Sequence, residues 1–174
     1  MSSALPAPVS TAWSSIRAGH APARPPIATI IVATLASTGA LTALVLLGLL
    51  SGHLLLIPPM AASMALVAGA PTLPLSQPRH VIGGQVISAV VGVLVGLASH
   101  SLWAAALAGG LALGAMLVTR TSHSPAAATA VIGAMTVDEP LSFIVCAGAA
   151  AAVLVLAGVL RARTGGAAYP AYWW

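Results

Sequence analysis

Two short stretches of this chain place proline, small residues and a hydroxyl in the same order. The first is Pro59-Met60-Ala61-Ala62-Ser63; the second is Pro125-Ala126-Ala127-Ala128-Thr129, preceded by His123-Ser124. Proline suits the first position of a helix, because the N–H it lacks has no intrahelical partner there. Pro59 and Pro125 therefore predict helix starts. Such a start exposes free backbone N–H groups and the positive end of the macrodipole, about half a unit charge. Two starts brought together would hold a small inorganic anion without a buried Lys or Arg. Small side chains at Ala61, Ala62, Ala127 and Ala128 would admit the ligand to the backbone, with hydroxyls supplied by Ser63, Ser124 and Thr129. The competing roles are close helix packing for the alanines and bonding to their own helix backbone for Ser and Thr.

His123 is the titratable residue nearest this pattern. In the polar notch Thr121-Ser122-His123-Ser124 it would donate a hydrogen bond to an anion or bring a proton with it. Its structural alternative is an interfacial histidine that caps loop carbonyls. His53 and His100 fall in short turns, His80 in a loop beside Arg79, and His20 in the N-terminal segment. No Asp or Glu interrupts an apolar run, which argues against a proton pump or metal transporter. Five scattered histidines and a lone Cys146 offer no metal site and no disulfide framework, and no cofactor is expected. Ser63 or Ser124 beside His123 would be the nucleophile and base of an intramembrane hydrolase. No Gly-x-Ser-x-Gly elbow accompanies them, and an enzyme is not the expectation.

The elements that must position these residues are apolar. Of 174 residues, 59% are hydrophobic and 5% charged, where a soluble domain carries about a quarter charged. Mean hydropathy is +1.04. Such a chain has lipid as its solvent, which excludes a soluble enzyme and a disordered tail. The net charge of +4 comes from six Arg scattered between apolar runs, a topology signal and not a phosphate-binding stripe, so no nucleic-acid partner is expected.

Residues 1–26 read as a mobile cytoplasmic tail, with a short interfacial helix around Trp13 and no removable signal peptide. Long apolar runs follow at 27–50, 81–98, 102–118 and 141–160, each of spanning length. Two shorter runs, 54–70 broken by Pro58-Pro59 and 125–137, lie between them, and residues 71–80 read as a loop. The tail 164–174 ends in aromatics suited to the headgroup region. If all six runs cross and the N-terminus is cytoplasmic, Arg17, Arg24, Arg79, Arg120, Arg161 and Arg163 all fall inside. Asp138 and Glu139 fall outside. Four crossings with two re-entrant hairpins would put Arg79 or Arg120 on the wrong side, so charge placement prefers six.

A weak internal repeat runs at an offset of 66 residues, the spacing from Pro59 to Pro125. It aligns Pro59–Ser63 with Pro125–Thr129, Pro74-Leu75-Ser76 with Pro140-Leu141-Ser142, and Gly92-Val93-Leu94 with Gly158-Val159-Leu160. A unit of three crossings repeated once gives an inverted repeat, an architecture of many transporters with broken helices at the repeat interface. The expected fold is all-α: six membrane segments as two inverted three-segment repeats, residues 27–98 and 99–163, with broken helices starting near Pro59 and Pro125.

Taken in order, Pro59 to Ser63, Gln77-Pro78-Arg79 with Gly83-Gly84, and His123 to Ala130 resemble the HPP family of integral membrane proteins. The likeness covers residues 27–160. The family takes its name from a His-Pro-Pro motif, and its members are implicated in nitrite transport in chloroplasts and cyanobacteria. Here the middle proline is Ser124, His80 stands where Asn is expected, and Gln85 stands where His is expected. Ser124 adds a hydroxyl and restores an N–H that proline lacks.

The resemblance implies transport of a small monovalent anion, nitrite first, by a channel or secondary transporter; charge placement puts both termini on the cytoplasmic side of a bacterial-type inner (plasma) membrane. Pro59, Ala62, Ser63, His123, Ser124, Pro125, Ala128 and Thr129 are the expected binding residues. Arg79 and Arg120 would gate or attract the anion electrostatically, or serve topology alone. Small-residue faces suit a homo-oligomer. The alternative from another class is a non-transporting scaffold or assembly subunit that binds partner helices through those faces.

Overall fold

A computed structural model of the chain describes residues 23–136, 138–164 and 167–173, with Thr136 by its backbone alone. The expected tail up to residue 22, including Trp13, Arg17 and His20, lies outside the described residues, as does Trp174. The described residues form six α-helices and one 3-10 turn: α1 (Ile27–Ser51), α2 (Pro58–Gly69), the turn Pro74–Ser76, α3 (Pro78–Gly96), α4 (Leu102–Thr119), α5 (Ser124–Thr136) and α6 (Pro140–Arg163). The order of long, short and long helix occurs twice. Four helices, α1, α3, α4 and α6, are long and apolar enough to cross a membrane. At 12 and 13 residues, α2 and α5 measure about 18–20 Å, short of the hydrocarbon core's ~30 Å.

Local chemistry explains the boundaries. Prolines open α2, α3 and α6, where a missing N–H costs nothing. The first helical residue of α2 is Pro58, one before the expected Pro59, because Ile57 is still extended. The loop expected to run to residue 80 ends at Gln77, since Pro78 starts α3. Ser101 caps α4, its hydroxyl accepting from the Ala104 N–H at 3.2 Å. Gly52 and Arg120 end α1 and α4 in the left-handed conformation, at φ 73° and 59°. Arg161 and Arg163 lie in the last turn of α6, where cations offset the negative end of the helix dipole.

The six helices alternate in direction. At one end of the bundle Pro25, Gly69, Pro71 and Arg161 share a cavity, Gln77 bonds to the Pro71 carbonyl, and Arg79 Nη2 donates to the Thr119 carbonyl. At the other end Asp138 lines one cavity with His53 and another with His100. The described cations of the spans thus gather at one end, and both acids lie at the other.

Packing does not follow the sequence halves. One core cluster joins α1, α2 and α6 through Leu44, Met60, Met64, Val67 and Leu154, with Val81 and Ala89 of α3 against it. A second joins α4 and α5 through Ala105, Ala108, Ala112, Ala130 and Ala134, with Val91 and Val95 of α3. The closest crossing is that of α3 on α5: a Cβ added at Gly92 would run into the Ala130 backbone. The C-terminal segment docks on the protein. Tyr169 is buried against Gly158, the Ala171 N–H donates to Gln77 Oε1 at 2.8 Å, and Tyr172 meets His80.

Candidate functional site

Where α2, α3 and the start of α5 meet, four polar side chains with no exposed surface bond to one another: Ser63, Gln85, His123 and Thr129. Gln85 Nε2 donates to Ser63 Oγ at 2.9 Å, and Thr129 Oγ1 donates to Gln85 Oε1 at 2.5 Å. Ser63 Oγ also lies 2.7 Å from His123 Nε2 and 2.8 Å from the carbonyl oxygen of Pro59. The other ring nitrogen of His123, Nδ1, is 2.7 Å from the Leu75 carbonyl oxygen. Ser88 lies one turn along α3 from Gln85, buried, its hydroxyl without a partner among the described residues.

The sequence motifs hold this cluster in place. Gly83 and Gly84 let α3 lie directly against the segment before α5, Gly83 against Thr121. A Cβ at Gly84 would fall 2.7 Å from the Cβ of His123 and 2.9 Å from the Thr121 carbonyl oxygen. Arg79 and His80 hold the same segment from α3: Arg79 donates to the Thr119 carbonyl at 3.2 Å, and His80 Nδ1 donates to the Ser122 carbonyl at 2.8 Å. Gln77 Nε2 fixes the preceding loop through the Pro71 and Leu73 carbonyls, which sets the position of Leu75 and hence of its bond to His123.

The proton inventory of the cluster is instructive. A carbonyl only accepts, so Nδ1 of His123 carries a hydrogen and donates to Leu75. With a neutral ring, Nε2 is an acceptor, and the single hydrogen of Ser63 is wanted by both Nε2 and the Pro59 carbonyl. The Pro59 carbonyl also accepts the helical N–H four residues on, so with a neutral ring Ser63 can give its hydrogen to Nε2 and the cluster is complete. No carboxylate belongs to it: Asp138 and Glu139 lie beyond the far end of α5, and the ionisable neighbour is His80.

Of the residues expected in the sequence, Pro59, Ser63, His123 and Thr129 are buried, and Pro125 is half-buried. Ala62, Ser124 and Ala128 face outward. Ser63 and Thr129, each in the second turn of its helix, are joined through Gln85, and Ser63 also reaches His123 just before the start of α5. Arg79 and Arg120 both flank the end of α4, Arg79 half-buried and Arg120 exposed. Gln85 is a further member of the site, beyond the residues expected from the sequence. An amide within an apolar 19-residue helix was the available signal.

The family model for the HPP transmembrane region matches residues 22–170. The chain belongs to the HPP transmembrane family. Two transmembrane proteins of Dictyostelium discoideum are similar to this HPP chain. One is 33% identical over 124 residues, covering 66% of this chain and 40% of that protein. The other is 35% identical over 124 residues, covering 66% and 44%. The HPP chain thus spans less than half the length of these curated relatives. No solved structure matches it.

Proposed function

We propose that this HPP chain moves a small monovalent anion, nitrite first, across the plasma membrane, with both termini cytoplasmic. The observation that carries this reading is the buried cluster in which Gln85 joins Ser63 to Thr129 beside His123. It offers hydroxyl, amide and imidazole hydrogens and no carboxylate, a composition that suits an anion and repels no negative charge. The hydroxyl of Ser88, without a partner among the described residues, adds a donor nearby. An anion entering with a proton on His123 would be neutralised where it binds, which removes the cost of burying a bare charge. Because the cluster is sealed from solvent, the reading favours a transporter that opens alternately over a standing pore. The alternation of six helices supports two inverted three-segment repeats, with α2 and α5 as the broken members. Arg79 and Arg120 would raise the local anion concentration at the cytoplasmic end.

The 2.7 Å contact of Ser63 with His123 favours a second reading, a serine hydrolase in the membrane. It ranks lower because Gln85 already donates to the Ser63 oxygen and a backbone carbonyl, not a carboxylate, orients the histidine.

Nitrite uptake into proteoliposomes, with nitrate, formate and chloride as competitors, tests the proposal. Saturable uptake weakened by both Thr129→Val and His123→Ala in folded protein is the expected result. No flux of any of these anions from correctly inserted protein overturns it and moves the scaffold role forward. Labelling of Ser63 by a serine-reactive phosphonate moves the hydrolase forward instead.

A further inference from the structure

Arg161 stands one turn from the end of α6 with only 7% of its surface exposed. Its Nε is buried without a hydrogen-bond partner among the described residues. A buried, uncompensated cation is costly, and the two acids that might pair with it lie at the opposite end of the bundle.

Two cavities converge on this side chain. One, of about 600 Å³, opens between the start of α1, the end of α2 and the end of α6, with the hydroxyl residues Thr29, Thr34 and Thr164 on its wall. The other, of about 550 Å³, is a trough between α1 and α6 lined by Leu35, Gly39, Ala43, Val153, Leu156 and Leu160. From Arg161 back to Val153 the trough follows α6 for about 12 Å, at 1.5 Å per residue. A fixed cation with hydroxyls at the mouth of a long apolar trough matches a phosphate group carrying an acyl chain. Arg24 and Arg163 are exposed at the same end and add to the positive field.

We propose that Arg161 binds the phosphodiester of an anionic glycerophospholipid whose acyl chain lies in the trough between α1 and α6. A free phosphate shares the headgroup chemistry but would leave the trough without an occupant, so the lipid is the ligand to which both cavities point. The site is independent of the anion cluster and of transport.

The test uses the full chain, purified in detergent and stripped of lipid, with native mass spectrometry and thermal unfolding as readouts. Phosphatidylglycerol, phosphatidylcholine and inorganic phosphate are the added ligands. Wild-type protein is expected to retain phosphatidylglycerol about tenfold better than phosphatidylcholine, a difference of ~1.4 kcal/mol, and to unfold at higher temperature with it. Arg161→Gln should abolish that preference, whereas Arg163→Gln should keep it. Gly39→Leu gives a second arm, because an added Cβ there meets nothing within 4 Å and the leucine would fill the trough. It should weaken lipid retention even if Arg161→Gln does not fold. Retention unchanged in Gly39→Leu, or in folded Arg161→Gln, overturns the proposal. Equal stabilisation by inorganic phosphate alone overturns the lipid and leaves a free-oxyanion site.

Discussion

The hydroxyls of Ser63 and Thr129 are held by the two ends of a single amide, that of Gln85. These are the residues that the 66-residue repeat sets in register, one on the second turn of α2 and the other on the second turn of α5. The pairing is thus a point where a faint sequence periodicity becomes a physical contact, and α3 supplies the connector.

Gln85→Leu should remove both bonds at once while keeping a side chain of similar length. Leaving the hydroxyls of Ser63 and Thr129 short of a partner should cost about 1–3 kcal/mol of stability, measured by thermal unfolding in detergent. Uptake should fall with it. In a double-mutant cycle, Ser63→Ala and Gln85→Leu should be non-additive, since each breaks the same bond. Additive losses would mean that the two residues act independently.

Gly84→Ala should destabilise by about 1–3 kcal/mol, because the new methyl group meets the His123 side chain and the Thr121 backbone. Gly110→Ala makes the contrasting case. An added Cβ at Gly110 meets nothing, so alanine should be neutral or stabilising by about 0.5–1 kcal/mol through helix propensity. The check is the difference between the two melting curves.

If the anion enters with a proton on His123, as proposed, uptake should rise as the outside pH falls. The sign follows from the co-entry: burial disfavours a charged ring before the anion binds, so the proton arrives with the anion and acid supplies it. His123→Gln, which cannot take the proton, should leave residual flux that no longer responds to a pH gradient. A pH response undiminished in that variant would assign the proton to another group.

Tyr169→Phe should be neutral or stabilising by about 1 kcal/mol. The Tyr169 hydroxyl is buried with no partner among the described residues, so its removal sheds a desolvation cost while the ring keeps its contact with Gly158. A marked loss of stability would reveal a partner for that hydroxyl.

The four long helices were legible in the sequence to within a few residues, because an uncharged apolar run of spanning length has few other outcomes. The short helices were legible from their prolines, and the meeting of Ser63, Thr129 and His123 from their shared order. Two things were not legible. That Ala62, Ser124 and Ala128 face outward depends on the rotation of each helix, and in an apolar chain nearly every face has the same polarity, so no periodicity reports it. The role of Gln77, Arg79 and His80 as anchors of loops depends on carbonyl positions, which side-chain identities do not encode.

Because α3 packs with α4 and α5 and also shares a core with α6 through Val81, Ala89 and Leu154, it belongs to both clusters at once. The helices therefore do not divide into two independent bodies, whether by sequence halves or by packing. Ser63 sits on α2, whereas Gln85 lies on α3, Thr129 on α5 and His123 just before α5. Moving α2 away from its neighbours would have to break both bonds of Ser63, while α3 keeps the two cores coupled.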